Sequence, residues 1–299
     1  MKHNRLWKVA VATSLEAEDA VAELLSRTFE ASPTVYADAE TGRRAVAVYC
    51  ETRPPGLARK VDAVRTGLKR IRSCGLHVGA GKVTTQQVRR QDWAESWKRH
   101  FKPITLGRTL LIKPSWSRRK PLRGQGVVVL DPGLSFGTGQ HPTTSFCLRE
   151  LVRLRKAGEI QSFLDVGTGS GILALAAARL GYSPVHAMDF DPDAVRTARA
   201  NARVNRMAGK VCIARRDLTR LPVRTARRYD LICANLVSTL LIAHRNRLTR
   251  RLSRRGTLVL AGILRSEFKQ VRDALALEGL RMVASHVTNE WRSGSFRRS

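Results

Sequence analysis

Asp165-Val166-Gly167-Thr168-Gly169-Ser170-Gly171 is entered from an apolar run, Phe163–Val166, and left through a second one beginning at Ile172. A strand that enters a glycine turn and leaves it as a helix is the unit from which parallel α/β sheets are built. Asp189 follows 24 residues after Asp165, behind the apolar run Val185-His186-Ala187-Met188. Two acids at the ends of neighbouring parallel strands, with the turn between them, form a nucleoside-binding crevice at the carboxyl edge of a doubly wound sheet. Working outward, strands are expected at Leu110–Ile112, Val127–Leu130, Phe163–Val166, Val185–Met188, Val211–Ala214, Leu231–Ala234 and Thr257–Gly262. Helical segments alternate with them from Phe163 onward. The expected class is therefore α/β and Rossmann-like, with a mainly parallel sheet covered on both faces.

The glycine spacing narrows the ligand. A dinucleotide site needs G-x-G-x-x-G, whose third glycine allows close packing beside a pyrophosphate. This chain has G-x-G-x-G, and Ile172 stands at the third position. S-adenosylmethionine carries no phosphate and needs close backbone approach plus a carboxylate for its ribose, so Gly167, Gly169 and Asp189 are expected to bind it. Asp191 is expected to cap a helix starting at Pro192, a favoured first helical residue. Asp217 follows the next strand; contact with an adenine amino group and a solvated turn are equally good readings. Asn235 ends the strand Leu231–Ala234 and offers both donor and acceptor at the ligand edge. The sequence continues Asn235-Leu236-Val237-Ser238, without the Pro-Pro-aromatic extension that goes with methylation of base or glutamine amines. Asn235 is the best candidate for positioning an amine, and no residue is nominated as an essential base. The loop Leu130–Thr144 gathers glycines, hydroxyls and His141 just before the cofactor strand. A helix starting near Thr143 would aim its backbone N–H groups at a methionine carboxylate.

The first third predicts a small α+β unit. Leu6–Ala12 forms a strand, Thr13 and Glu16 make a capping box for a helix to Phe29, and Ala17, Val21, Leu24 and Leu25 face inward. Strands Val35–Ala39 and Ala45–Cys50 follow, then a helix opened by Pro54-Pro55-Gly56 and a last strand, Leu76–Val83. That order is ferredoxin-like. Gln91–Phe101 carries Trp93 and Trp97 on one helical face, a joint between domains. The expected division is 1–88, a substrate-recognition domain; 89–105, a linker helix; and 106–299, the catalytic domain.

Lys and Arg number 54 against 24 Asp and Glu, a net charge of +30. Such a surface attracts polyanions, and contact with ribosomal RNA is one reading; arginine bias in composition is the other. The Arg-rich stretch Arg292–Ser299 is set apart as a basic tail. The 5 cysteines are scattered, without metal-ligand spacing, which fits a reducing cytoplasmic setting. No apolar run reaches membrane-spanning length, so no membrane partner is expected, and a monomer is the default.

With these residues in view, the chain resembles the methyltransferases of large-subunit ribosomal protein L-eleven, the PrmA family. The matching pieces are Asp92-Trp93 through Trp97-Lys98, Pro114-Ser115-Trp116, Asp131–Thr144, Asp165–Leu173, Asp189–Pro192, Ala234-Asn235 and Gly262-Ile263-Leu264. They keep family order and spacing over residues 92 to 264. The resemblance implies a class I S-adenosylmethionine-dependent methyltransferase fold, with cofactor contacts at Thr144, Gly167, Asp189 and Asn235. It further implies methyl transfer to lysine side chains and the α-amine of ribosomal protein L-eleven, free or on the ribosome. A lysine methyltransferase of another protein and an rRNA methyltransferase are the alternatives.

Overall fold

The computed structural model describes residues 5–31, 33–37, 44–89, 103–131 and 141–299. The expected linker helix with Trp93 and Trp97, and most of the Asp131–Thr144 loop, lie outside these residues. The chain divides into two compact units, Met1–His100 and Phe101–Ser299.

In the first unit, β1 (Arg5–Thr13), α1 (Glu18–Phe29), β2 (Thr34–Ala37), β3 (Arg44–Cys50), α2 (Leu57–Ser73) and β4 (Val83–Arg89) follow in order. The strands lie antiparallel in the order β2-β3-β1-β4, the ferredoxin-like arrangement. Val9 and Val11 pair with Val48 and Val46 and share one sheet face. Val21 and Leu25 of α1 and Val64 and Leu68 of α2 pack in the same core cluster. Full burial of each such side chain contributes about 1.5–3 kcal/mol.

Two local expectations fail in this unit. There is no capping box at Thr13 and Glu16, because Thr13 stays in β1, paired with Arg44. The helix starts later, at Glu18, and Ser14 Oγ accepts the Ala17 amide at 3.3 Å instead. The last strand is Val83–Arg89, not Leu76–Val83, since Gly75, Gly79 and Gly81 adopt φ of 89°, 68° and 59°. Left-handed residues cannot continue a strand. The true strand is polar because it forms an edge of the sheet with one wet face.

The second unit opens with a small sheet, β5 (Ile104–Leu106), β6 (Leu110–Lys113) and β7 (Gly126–Val129). The strands expected at Leu110–Ile112 and Val127–Leu130 are both present in this sheet, as β6 and β7. Its apolar face, Leu110, Ile112 and Val128, joins the core of the large sheet. Asn205 fastens it there, with Oδ1 accepting the Val129 amide at 2.7 Å and Nδ2 donating to the Val129 carbonyl at 2.6 Å.

Next come α3 (Pro142–Leu154), β8 (Phe163–Val166), α4 (Ile172–Arg179), β9 (Val185–Asp189), α5 (Pro192–Val204), β10 (Val211–Arg215) and β11 (Tyr229–Asn235). The chain ends in α6 (Ser238–Ala243), α7 (Arg245–Thr249), β12 (Leu252–Ala261), α8 (Phe268–Ala276), β13 (Leu280–Thr288) and β14 (Trp291–Arg298). Sheet order is β10-β9-β8-β11-β12-β14-β13, parallel from β10 to β12 and antiparallel at β14 and β13. Successive residues of β11 alternate between two cores: Leu231 and Cys233 face one, Ile232 and Ala234 the other. This two-sided burial explains why the strand is apolar throughout.

The tail expectation is corrected here. Arg292–Ser299 is no separate basic tract; all of it but Ser299 belongs to β14, which lies between β12 and β13. Ser293, Ser295 and Phe296 are buried, and Ser295 Oγ bonds the buried carboxylate of Glu150. The arginines at the strand ends hid a small, buried middle.

Candidate functional site

Strand order reverses between β8 and β11: the chain travels outward through β9 and β10, then returns to the other side of β8. Helices on either side leave a crevice at that point, outside the carboxyl ends of the strands. The glycine turn after β8 occupies it. Gly167 and Thr168 both donate their amides to the Met188 carbonyl, at 2.9 and 3.0 Å, which ties the turn to β9. Gly167, Gly169 and Gly171 have φ of 75°, 53° and 83°. A Cβ on Gly171 would lie 3.0 Å from Ala198 Cβ of α5, so this glycine supplies the close helix packing that Ile172 does not.

Asp189 ends β9 and is buried. Its Oδ2 accepts the Gly169 amide at 2.9 Å and its Oδ1 the Asp191 amide at 3.1 Å. Each oxygen keeps further acceptor capacity. A ribose diol fits this arrangement, since the backbone already fixes the carboxylate. Asp191 accepts the Asp193 amide at 2.9 Å and caps α5, with Pro192 first in the helix, as the sequence indicates.

Across the switch point, Asn235 ends β11 and its Nδ2 reaches Thr144 Oγ1 on α3 at 3.4 Å. Thr144 is buried in the first turn of that helix. His141 is the N-cap of α3: its Nδ1 lies 2.7 Å from Thr143 Oγ1 and accepts the Thr143 amide at 3.4 Å. Its ring meets Trp291 edge-on, with centroids 5.0 Å apart. Burial pushes the imidazole pKa down, and the Glu290 charge opposes this. Gly167 and Asn235 are joined through Leu236, whose Cδ2 would lie 2.6 Å from a Cβ on Gly167. Thr144, Asn235, Gly167, Gly169 and Asp189 thus form one continuous wall.

Asp217 is placed as a turn residue. Its carboxylate accepts the Thr219 amide at 2.8 Å and caps the short 3-10 turn Leu218–Arg220. That amide and the Thr219 hydroxyl hold its pKa below the usual range.

Asp165 is wholly buried below the turn. Thr168 Oγ1 donates to its Oδ2 at 2.6 Å, while its Oδ1 has no hydrogen-bond partner among the described residues. Burial pushes its pKa up to about 7; the Thr168 hydroxyl and the Ala174 backbone pull against this, and the Asp189 charge adds to it. An unfolded aspartate loses its proton near 3.8, so between about pH 4 and 7 the folded chain binds more protons than the unfolded one. Stability from this group is therefore full below pH 4 and falls by roughly 4 kcal/mol as pH rises to 7. Asp165→Asn is expected to flatten that slope and raise the unfolding midpoint at pH 8, read by thermal melts across pH. An unchanged slope would show that Asp165 ionises freely.

Sequence reasoning missed Phe190. It is 70% exposed between Asp189 and Asp191, although an aromatic ring is normally withdrawn from water. The signal was available: a single apolar residue between two acids at a ligand edge. Gly262 was overlooked as a site residue too; its φ is 79°, and a Cβ there would lie 2.9 Å from Asn235 Oδ1.

The residues fit S-adenosylmethionine on the chain's own features: a turn of three left-handed glycines at a strand end, and a carboxylate that backbone amides already fix while its oxygens keep acceptor capacity. Fold and site together define a class I S-adenosylmethionine-dependent methyltransferase. Residues 5–299 match the family described as "Ribosomal protein L11 methyltransferase (PrmA)". A relative of that name from Geobacter sp. (strain M21) is 40% identical over 215 residues, 71% of this chain and 68% of its own. One from Alkaliphilus oremlandii is 32% identical over 235 residues, 79% of this chain and 74% of its own. The crystal structure of ribosomal protein L11 methylase from Lactobacillus delbrueckii subsp. bulgaricus superposes with a TM-score of 0.59 at 29% identity, covering 67% of this chain and all of the other. The chain belongs to the ribosomal protein L11 methyltransferase (PrmA) family.

Proposed function

We propose that this enzyme methylates amines of ribosomal protein L11, chiefly lysine side chains and the α-amine. The observation that carries the site is the wall just described, in which a backbone-held Asp189 and the Asn235–Thr144 pair flank one glycine turn. When bound, S-adenosylmethionine supplies an electrophilic methyl group on a positively charged sulfur. Asp189 would hold the ribose hydroxyls, Gly167 and Gly169 would let the cofactor approach the backbone, and Phe190 would cover the adenine. Thr144 and the first amides of α3 would hold the methionine carboxylate.

A lysine amine has a pKa near 10.4, so presenting it neutral at pH 7 costs about 4–5 kcal/mol. A water-poor pocket offsets part of that by destabilising the ammonium, and alignment with the methyl group supplies the rest. Asn235 would accept a hydrogen bond from the incoming amine through its side-chain carbonyl and fix its direction. The first unit, Met1–His100, recognises the protein substrate, and the second carries the chemistry. Because the 5 cysteines are free, a reducing cytoplasmic setting fits. Among the described residues no helix is long and apolar enough to cross a membrane.

Purified L11 and radiolabelled cofactor provide the test. Label should enter the protein and reside in methylated lysine after hydrolysis; label in RNA would contradict the assignment. Asn235→Ala should lower kcat about ten- to hundredfold at saturating cofactor, the value of one hydrogen bond to a charged or reacting group. Unchanged turnover would remove Asn235 from the reaction.

A further inference from the structure

We propose that the sheet edge made by β10 and α5 is a docking groove for the phosphodiester backbone of RNA. An open cavity of about 350 Å³ lies there, lined by Pro192, Val195, Arg196, Arg199, Arg203 and Arg215. Arg196, Arg199 and Arg203 follow one another at spacings of three and four along α5 and share one helix face. The stripe is about 10 Å long at 1.5 Å per residue, enough to meet successive phosphates.

Two of these guanidinium groups are held in place by backbone. Arg199 donates Nε and Nη2 to the Ile213 carbonyl at 3.3 and 2.8 Å, and Arg215 donates Nε to the Phe190 carbonyl at 3.2 Å. Each guanidinium has five N–H donors, so both keep donors for a ligand while their orientation is fixed. Of the four arginines, Arg196 alone has a carboxylate at ion-pair distance among the described residues, Asp193 at 2.6 Å. The others carry unneutralised charge.

The composition of the groove indicates its occupant. Small-molecule pockets are enclosed and mostly apolar; this one is open and two-thirds arginine. Planar, fixed forks match phosphate oxygens and form the stronger, charge-assisted hydrogen bonds. A net charge of +30 draws polyanions toward the whole surface. The groove gives their backbone a defined seat, next to Phe190 and hence beside the cofactor crevice.

The test uses the full chain and a short labelled uridine oligonucleotide, with binding followed by fluorescence anisotropy over a range of salt. Arg199→Gln/Arg203→Gln/Arg215→Gln should weaken binding at least about tenfold and reduce the slope of log K against log salt by about two, given roughly 0.7 per single-strand phosphate contact. Arg250→Gln/Arg254→Gln/Arg255→Gln removes the same charge from exposed positions at and just before the start of β12, outside the groove, and should change affinity less than about threefold. Equal losses in both sets would show attraction by net charge alone and overturn the proposal. So would an unaltered groove variant, or a groove variant that loses polyglutamate but keeps RNA, which would assign the surface to an acidic protein. Should the triple variant fail to fold, Arg196→Gln/Arg203→Gln leaves both carbonyl anchors intact and must still reduce the slope by about one; an unchanged slope refutes the groove. Methyl transfer is no part of this readout, so its outcome is separate from that of the proposed activity.

Discussion

Asp189→Ala is expected to weaken S-adenosylmethionine binding by about a hundredfold to ten-thousandfold. The carboxylate would accept two ribose hydroxyls, and hydrogen bonds to a charged group are worth about 1.5–3 kcal/mol each. The same substitution releases the Gly169 and Asp191 amides, which now bond Asp189 at 2.9 and 3.1 Å. Both the ligand contacts and the turn that presents them are thus affected. Asp189→Asn should fall between, because one acceptor oxygen remains while the charge is gone. Calorimetric titration of each variant provides the comparison, with thermal melts confirming the fold. A variant that binds as tightly as the parent would mean that the ribose rests elsewhere.

Gly262→Ala should do nearly as much damage by a different route. At φ 79°, an alanine Cβ would stand 2.8 Å from the Leu236 carbonyl oxygen, 2.9 Å from Asn235 Oδ1 and 3.0 Å from the Leu236 amide. The left-handed conformation costs about 1–2 kcal/mol for a residue with a side chain. Two of the three collisions are with backbone, which cannot step aside, so the total should reach roughly 3 kcal/mol. For a unit of this size that lowers the unfolding midpoint by about 6–12 °C. Asn235 would be displaced with Leu236, and kcat should fall with stability. Gly167→Ala provides the contrast. Its φ is 75°, but the nearest atom is the flexible end of Leu236, so backbone strain dominates and the loss of stability should be smaller. The melting temperatures of both variants decide; equal loss of stability at the two positions would refute the tight corner at Gly262.

The parts of the molecule legible from sequence are those where backbone geometry restricts residue choice. A turn with three left-handed residues requires glycine, and a carboxylate at a strand end facing a ligand has few substitutes; the turn and the Asp189 position are plain for that reason. Asp191 capping α5 is legible for a similar reason, because Asp-Pro satisfies a free amide and the first helical φ together. The parts that were not legible depend on what a segment packs against. β4 is polar because it forms a sheet edge, and β14 is written in arginine and serine although its middle is enclosed by β12, β13 and α3. Neither alternation nor composition reveals a neighbour supplied by tertiary structure. Thr13 shows the same limit on a small scale: its capping signal was sound locally, but strand pairing with Arg44 took precedence. Asp217 could face adenine or water on sequence grounds, and the Thr219 amide claims its carboxylate.

The pairing of Asp189 with the glycine turn is central, and titration of S-adenosylmethionine into the 299-residue chain addresses it most directly. Saturable heat is expected at one site per molecule, and it should be severely reduced by Asp189→Ala with the fold intact. Absence of heat from a folded parent protein, or undiminished heat from the variant, would contradict it.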